Sequence, residues 1–181
     1  MKVVLLGLNH ELQWKDPTGD LRQILGHLIS TRGVDLVAEE AAGLPTTVAQ
    51  RLAFILDKPW IDIDMNKAER VLAGIHESLL ARRPFPIDPC SGDTSTRCSY
   101  LPREDGIREE EWLRRILTKR ADVVLCVCGF MHLDPFAKRL EEKGCSVEQV
   151  RLTELVWFQK HYGSYSIVED DGKRWCEIRY S

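Results

Sequence analysis

No apolar run in this 181-residue chain reaches the roughly 18 residues that a bilayer span requires. The short aliphatic stretch between Lys2 and Gly7 is too brief for the core of a secretory signal, so the sequence reads as cytoplasmic, without a membrane partner. Clustered positive charge is missing as well. The formal net charge is −3, and Lys and Arg are interleaved with Asp and Glu, so a nucleic-acid partner, whose phosphates need a basic stripe, is not expected. The six cysteines lack the Cys-x-x-Cys pairing of a zinc ribbon and read mostly as buried reduced thiols. Gly-x-Gly-x-x-Gly, a Gly-Lys-Ser/Thr loop and a Gly-x-Ser-x-Gly elbow are all absent. Dinucleotide, phosphate-loop and α/β serine-hydrolase sites are thereby disfavoured.

What the chain does contain is a pattern used twice. Val3-Val4-Leu5-Leu6-Gly7-Leu8-Asn9-His10 and Val123-Val124-Leu125-Cys126-Val127-Cys128-Gly129-Phe130-Met131-His132 each read as a buried strand, a glycine that relaxes the backbone, and a histidine where the strand runs out. Between and after them, strand and helix signals alternate. A helix is expected from about Asp20 to Arg32 with Gly33 at its C-cap, then a strand over Val34–Ala38 closed by Glu39-Glu40. A helix from near Pro45 follows, then a strand over Trp60–Asp64. Asn66 and Glu69 form a capping box before a stripe of Val71, Leu72, Ile75, Leu79 and Leu80.

Between Arg83 and Gly106 the periodicity fails, with Pro84, Pro86, Pro89 and Pro102 among small polar residues, and the stretch reads as a long loop or lid. A charged helix over Ile107–Lys119, a helix opened by Asp134-Pro135, and a strand over Cys145–Leu152 complete the alternation; Leu155–Phe158 suits a short helix. Residues 164–181 read as a β-hairpin around Asp170-Asp171-Gly172. The expected fold is a single α/β domain over residues 1–181: a mostly parallel sheet flanked by helices, with the C-terminal hairpin adding antiparallel edge strands.

In such a sheet, ligands sit at the carboxyl edge. His10, Glu39 with Glu40, Asp64 and His132 all fall at expected strand ends, whereas His27, His76 and His161 fall in helical or turn contexts and read as structural or surface residues. Two imidazoles with one or more carboxylates suit a divalent Zn, Mn or Fe ion, and equally suit acid/base work on a water.

The order of these motifs, with an arginine on the helix before the second Gly-x-x-His, resembles the TraB/TIKI superfamily, a group that also takes in erythromycin esterases and ChaN-type haem-binding lipoproteins. The matching positions are Gly7 and His10, Glu39 or Glu40, Arg108 with Trp112 four residues on, and Gly129 and His132, spread over about residues 1 to 145. The resemblance implies a metal-dependent hydrolase of ester or amide bonds acting on a small molecule or peptide. In that reading His10, His132, Glu39 and Asp64 are the metal candidates, a second glutamate of the Glu39-Glu40 pair takes the proton, and Arg108 stabilises the oxyanion. The alternative it implies is a non-catalytic protein that holds haem, a metal or a small ligand in the same cleft.

Overall fold

The structure is a computed structural model and describes residues 1–8, 10–16, 18–41, 46–75, 85–86, 96–152, 158, 164–170 and 173–179. Its centre is a five-stranded parallel sheet of β1 (Lys2–Leu8), β2 (Leu36–Glu39), β3 (Trp60–Asp62), β6 (Val123–Gly129) and β7 (Ser146–Arg151), in the order β3-β2-β6-β1-β7. The fold is α/β, as the alternation implies. Alternate residues of each strand enter opposite cores, as the two-residue strand period demands. Val4, Leu6, Leu8, Val37, Leu125 and Val127 pack with α1 (Asp20–Arg32) and α2 (Val48–Ile55). Val3, Leu5, Leu36, Ala38, Val124 and Cys126 pack on the other side with α4 (Pro102–Leu117) and α5 (Leu133–Glu142). Three layers result.

The neighbours β1 and β6 are paired in register from Lys2↔Val123 to Leu8↔Gly129. The chain leaves β1 through α1 toward β2, and leaves β6 through α5 toward β7, so the two connections run opposite ways on opposite faces. Their carboxyl ends form the topological switch point, the place where open sheets of this kind accept ligands.

Local signals explain most boundaries. Gly33 caps α1 in the left-handed region at φ 63°, and Asn66 with Glu69 forms the reciprocal capping box of α3 (Lys67–Leu72). Helix α2 begins at Val48, three residues after the expected Pro45, because Thr47 accepts the Gln50 N–H as its N-cap. The apolar stripe expected beyond Asn66 is not a buried face: α3 stops before Gly74 at φ 73°, Val71 and Leu72 are exposed, and only Ile75 is buried, while Leu79 and Leu80 lie outside the described residues.

The hairpin differs from expectation in its partner. Strands β8 (Ser164–Asp170) and β9 (Lys173–Arg179) pair antiparallel, but β9 joins β5 (Thr96–Tyr100), and β5 joins β4 (Phe85–Pro86), in a second sheet of order β4-β5-β9-β8. It therefore adds no edge to the parallel sheet. Residues 96–106 of the expected loop carry β5 and the first turn of α4, which starts at Pro102 because proline suits a first helical turn. Cys126, Cys128 and Cys145 are buried and free, whereas Cys90 falls outside the described residues. The same holds for His76, His161 and most of the Leu155–Phe158 segment, of which Phe158 alone is described, helical and buried. Among the described residues no helix is long and apolar enough to cross a membrane.

Candidate functional site

Both histidines do emerge at the switch point. Each sits in a single 3₁₀ turn that continues its strand, His10–Gln13 after β1 and Phe130–His132 after β6. Between them lies Glu40, whose backbone N–H continues the β2 ladder onto Val127 O at 2.9 Å. The Nε2 atoms of His10 and His132 stand 3.7 and 3.8 Å from the same oxygen, Glu40 Oε1. Its other oxygen, Oε2, accepts the Gly129 N–H at 2.7 Å.

The glycines of the twin motif owe their identity to space. Neither Gly7 nor Gly129 lies among the positive-φ glycines of the described chain, so backbone freedom is not the reason for them. A Cβ on Gly129 would stand 2.7 Å from His10 Nε2 and 3.3 Å from Glu40 Oε2, and one on Gly7 would fall within the side chain of Leu133. Each glycine lets the other strand's continuation pass across it.

Second partners fix each ring. Gln13 donates its amide to Glu40 O at 2.9 Å and to Glu39 Oε1 at 3.2 Å, which turns its oxygen toward His10 Nδ1, 2.8 Å away. That assigns the proton of a neutral His10 to Nδ1 and leaves the lone pair on Nε2, beside Glu40. His132 Nδ1 is 2.8 Å from Glu109 Oε1, and Glu109 Oε2 accepts from Arg139 Nε at 2.9 Å and from Tyr100 OH at 3.1 Å. The rings of Trp112 and Tyr100 stand edge-on to His132 at 4.7 and 5.7 Å between centroids. His132 is buried, while the His10 side chain is 46% exposed, so solvent reaches His10 more readily than His132.

Arg108 is placed on the same cluster but is enclosed by acids. Its Nη2 donates to Glu40 Oε1 and, at 2.7 Å, to Asp64 Oδ2, its Nε reaches Asp64 Oδ1 at 3.1 Å, and its Nη1 reaches Asp105 Oδ1 at 3.2 Å. Asp64 is further engaged by Arg70 Nη2 and by Trp112 Nε1 at 3.0 Å. Glu39 points away from the histidines: Thr47 Oγ1 and Trp60 Nε1 donate to its Oε2 at 2.6 and 2.9 Å. Adjacent residues on a strand face opposite ways, and here Glu40 meets the imidazoles while Glu39 braces Gln13.

Electrostatics separate the two glutamates. Burial would raise the Glu40 carboxyl, but His10, Arg108, His132 and the Gly129 N–H together hold it well below the usual carboxylate range. Burial raises Glu39, and its three neutral donors offset this only in part. Burial alone would lower His132, yet the charge of Glu40 and the bond to Glu109 outweigh it and raise this imidazole above its ordinary value.

The divalent ion implied by the resemblance would draw on His10, His132 and a glutamate, with Asp64 as a further candidate, around one point. They are not so arranged. Both oxygens of Asp64 are taken by Arg70, Arg108 and Trp112, those of Glu39 by Gln13, Thr47 and Trp60, and Glu40 Oε1, the acceptor between the rings, already carries a guanidinium. Among the described residues no three His, Cys, Asp or Glu side chains are grouped to hold a metal ion.

Sequence reasoning passed over Gln13, Glu109, Asp105 and Thr47. The first two had a local signal: Gln13 lies three residues after His10 in a turn where i and i+3 eclipse, and Glu109 lies three before Trp112 on one helix face. Asp105 and Thr47 had none, being ordinary cap-type residues until packing turned them inward. Comparison with protein-family models, with curated proteins and with solved structures returns no match to this chain.

Proposed function

We propose that this cleft hydrolyses an ester or amide bond by histidine acid/base chemistry, without the ion as its base-activating group. The observation that carries the reading is the pair of Nε2 atoms beside one carboxylate oxygen, 3.7 and 3.8 Å away, each ring held at Nδ1 by a different kind of partner. A neutral amide holds His10 and a carboxylate holds His132, which is the asymmetry that separates a base from an acid.

In this reading, His10 Nε2 takes a proton from water as the water oxygen bonds to the substrate carbonyl carbon. His132, protonated and raised by Glu40 and Glu109, gives a hydrogen bond to the developing oxyanion and then its proton to the departing alcohol or amine. The proton on His10 returns to His132 through solvent. Glu40 stays ionised and keeps both rings oriented. Arg108, with its donors on Glu40, Asp64 and Asp105, positions Glu40 and does not touch substrate.

The resemblance to the TraB/TIKI superfamily supports hydrolysis, and its erythromycin-esterase branch implies the version with a histidine as base, beside the metal-dependent one. The test is turnover of p-nitrophenyl esters and peptide amides by wild type, His10→Ala and His132→Ala, with and without chelator. Chelator-resistant turnover lost in both variants is expected. Turnover that requires added Zn, Mn or Fe overturns the metal-free chemistry in favour of the metal hydrolase, and absence of turnover under every condition leaves the ligand-holding alternative.

A further inference from the structure

Beside the site lies a cleft of about 530 Å³ between the starts of α1 and α2. It adjoins the machinery along the chain at two points: its lining residues Trp14 and Lys15 follow directly on Gln13, which holds His10, and Val48 follows Thr47, which holds Glu39. The two helices touch where a Cβ on Gly26 would stand 3.9 Å from Leu52.

The lining has two characters. Val48, Leu52 and Ile55 supply an apolar wall and Trp14 an aromatic one, while Lys15, Arg22 and Arg51 bring three cationic groups to the same opening. Asp16 is the single acid among the lining residues, and its oxygens are already engaged by the backbone N–H groups of Leu21 and Arg22 at 3.2 and 2.9 Å, at the start of α1. Among the described residues, the guanidinium groups of Arg22 and Arg51 make no ion pair or hydrogen bond. Several other surface arginines are paired, Arg32 with Glu148, Arg114 and Arg115 with Glu111, Arg139 with Glu109 and Glu110. Two arginines left without acids among the described residues, beside an apolar wall, suit a ligand that brings its own negative charge.

We infer that this cleft is a subsite for an organic anion, a carboxylate or phosphate monoester carried on an apolar body. As a substrate subsite it rests on the hydrolase reading, and it would select acidic esters or amides whose scissile bond then reaches His10.

The test is titration calorimetry of the full chain with phenyl phosphate, 3-phenylpropionate and the neutral 3-phenylpropanol. Both anions should bind at least about tenfold more tightly than the alcohol, and Arg22→Gln and Arg51→Gln should each weaken them about tenfold, as the loss of a charge-assisted contact does. The tighter anion identifies the acidic group. Because both arginines are exposed, folding should survive, and a salt series on the wild type gives an independent measurement: affinity should fall between about 0.05 and 0.5 M NaCl. Equal affinity for the alcohol, binding indifferent to salt, or wild-type affinity in the folded double variant overturns the subsite. Anion binding that persists in His10→Ala upholds it even if no ester is turned over, in which case only the hydrolase reading falls. Ester turnover without anion binding does the reverse.

Discussion

Replacing each glycine of the twin motif by alanine should give two different failures. At Gly7 the new methyl meets Leu133, the fully buried first residue of α5, which has nowhere to go. Overpacking of that kind costs about 1–3 kcal/mol. The loss of unfolded-state freedom on changing glycine to alanine returns about 0.4–1 kcal/mol, leaving a net loss of about 1–2 kcal/mol. In a chain of this size that lowers Tm by roughly 2–8 °C. At Gly129 the methyl meets His10 Nε2 at 2.7 Å, the tip of a half-exposed side chain that can swing into solvent. Stability should hardly change, but the ring loses its station beside Glu40, and misplacement of about 1 Å at a reacting group costs about 10²-fold in rate. The assays are thermal unfolding by circular dichroism, the His10 ring signals by NMR, and ester turnover. If Gly129→Ala loses more stability than Gly7→Ala, or keeps both the wild-type His10 signals and full activity, the spatial account of the motif is wrong.

Other outcomes follow from the same geometry. Glu109→Gln removes a group that raises His132, so the alkaline limb of the activity profile, where the imidazolium is lost, should move to lower pH. Glu40 is held below the usual carboxylate range, so its contribution to stability is present above the unfolded carboxylate value and fades as pH falls toward its folded one. The stability gap between wild type and Glu40→Gln in urea titrations should therefore narrow from about pH 4.5 downward, and a gap that widens in acid contradicts the assignment. Thr47→Val removes both the α2 cap and a buried bond to Glu39, and should lower stability by about 1–3 kcal/mol in chemical denaturation.

Periodicity and caps made the architecture legible before any coordinate was known. Apolar runs ending in Gly-x-x-His, the Gly33 cap and the Asn66–Glu69 box are properties of a few adjacent residues, and local geometry enforces them wherever the chain goes. The same locality placed His10, His132 and the Glu39-Glu40 pair at one sheet edge, because strand direction and a right-handed crossover leave little choice.

Choices between neighbours needed the tertiary structure. Sequence could not say that Glu40 meets the imidazoles while Glu39 braces Gln13, since a shift of one residue along a strand exchanges the faces. Nor could it foresee that Asp64, at a strand end like the others, would have its oxygens taken by Arg70, Arg108 and Trp112. The C-terminal hairpin was expected at the edge of the parallel sheet and went elsewhere for a related reason: antiparallel pairing is available at any free edge, and the partner that β9 takes is β5, about 80 residues earlier in the chain. Strand, cap and motif are set by interactions a few residues apart and so are written in the sequence. Which charge faces which is a matter of distances between segments remote in the chain, and only the folded molecule sets those.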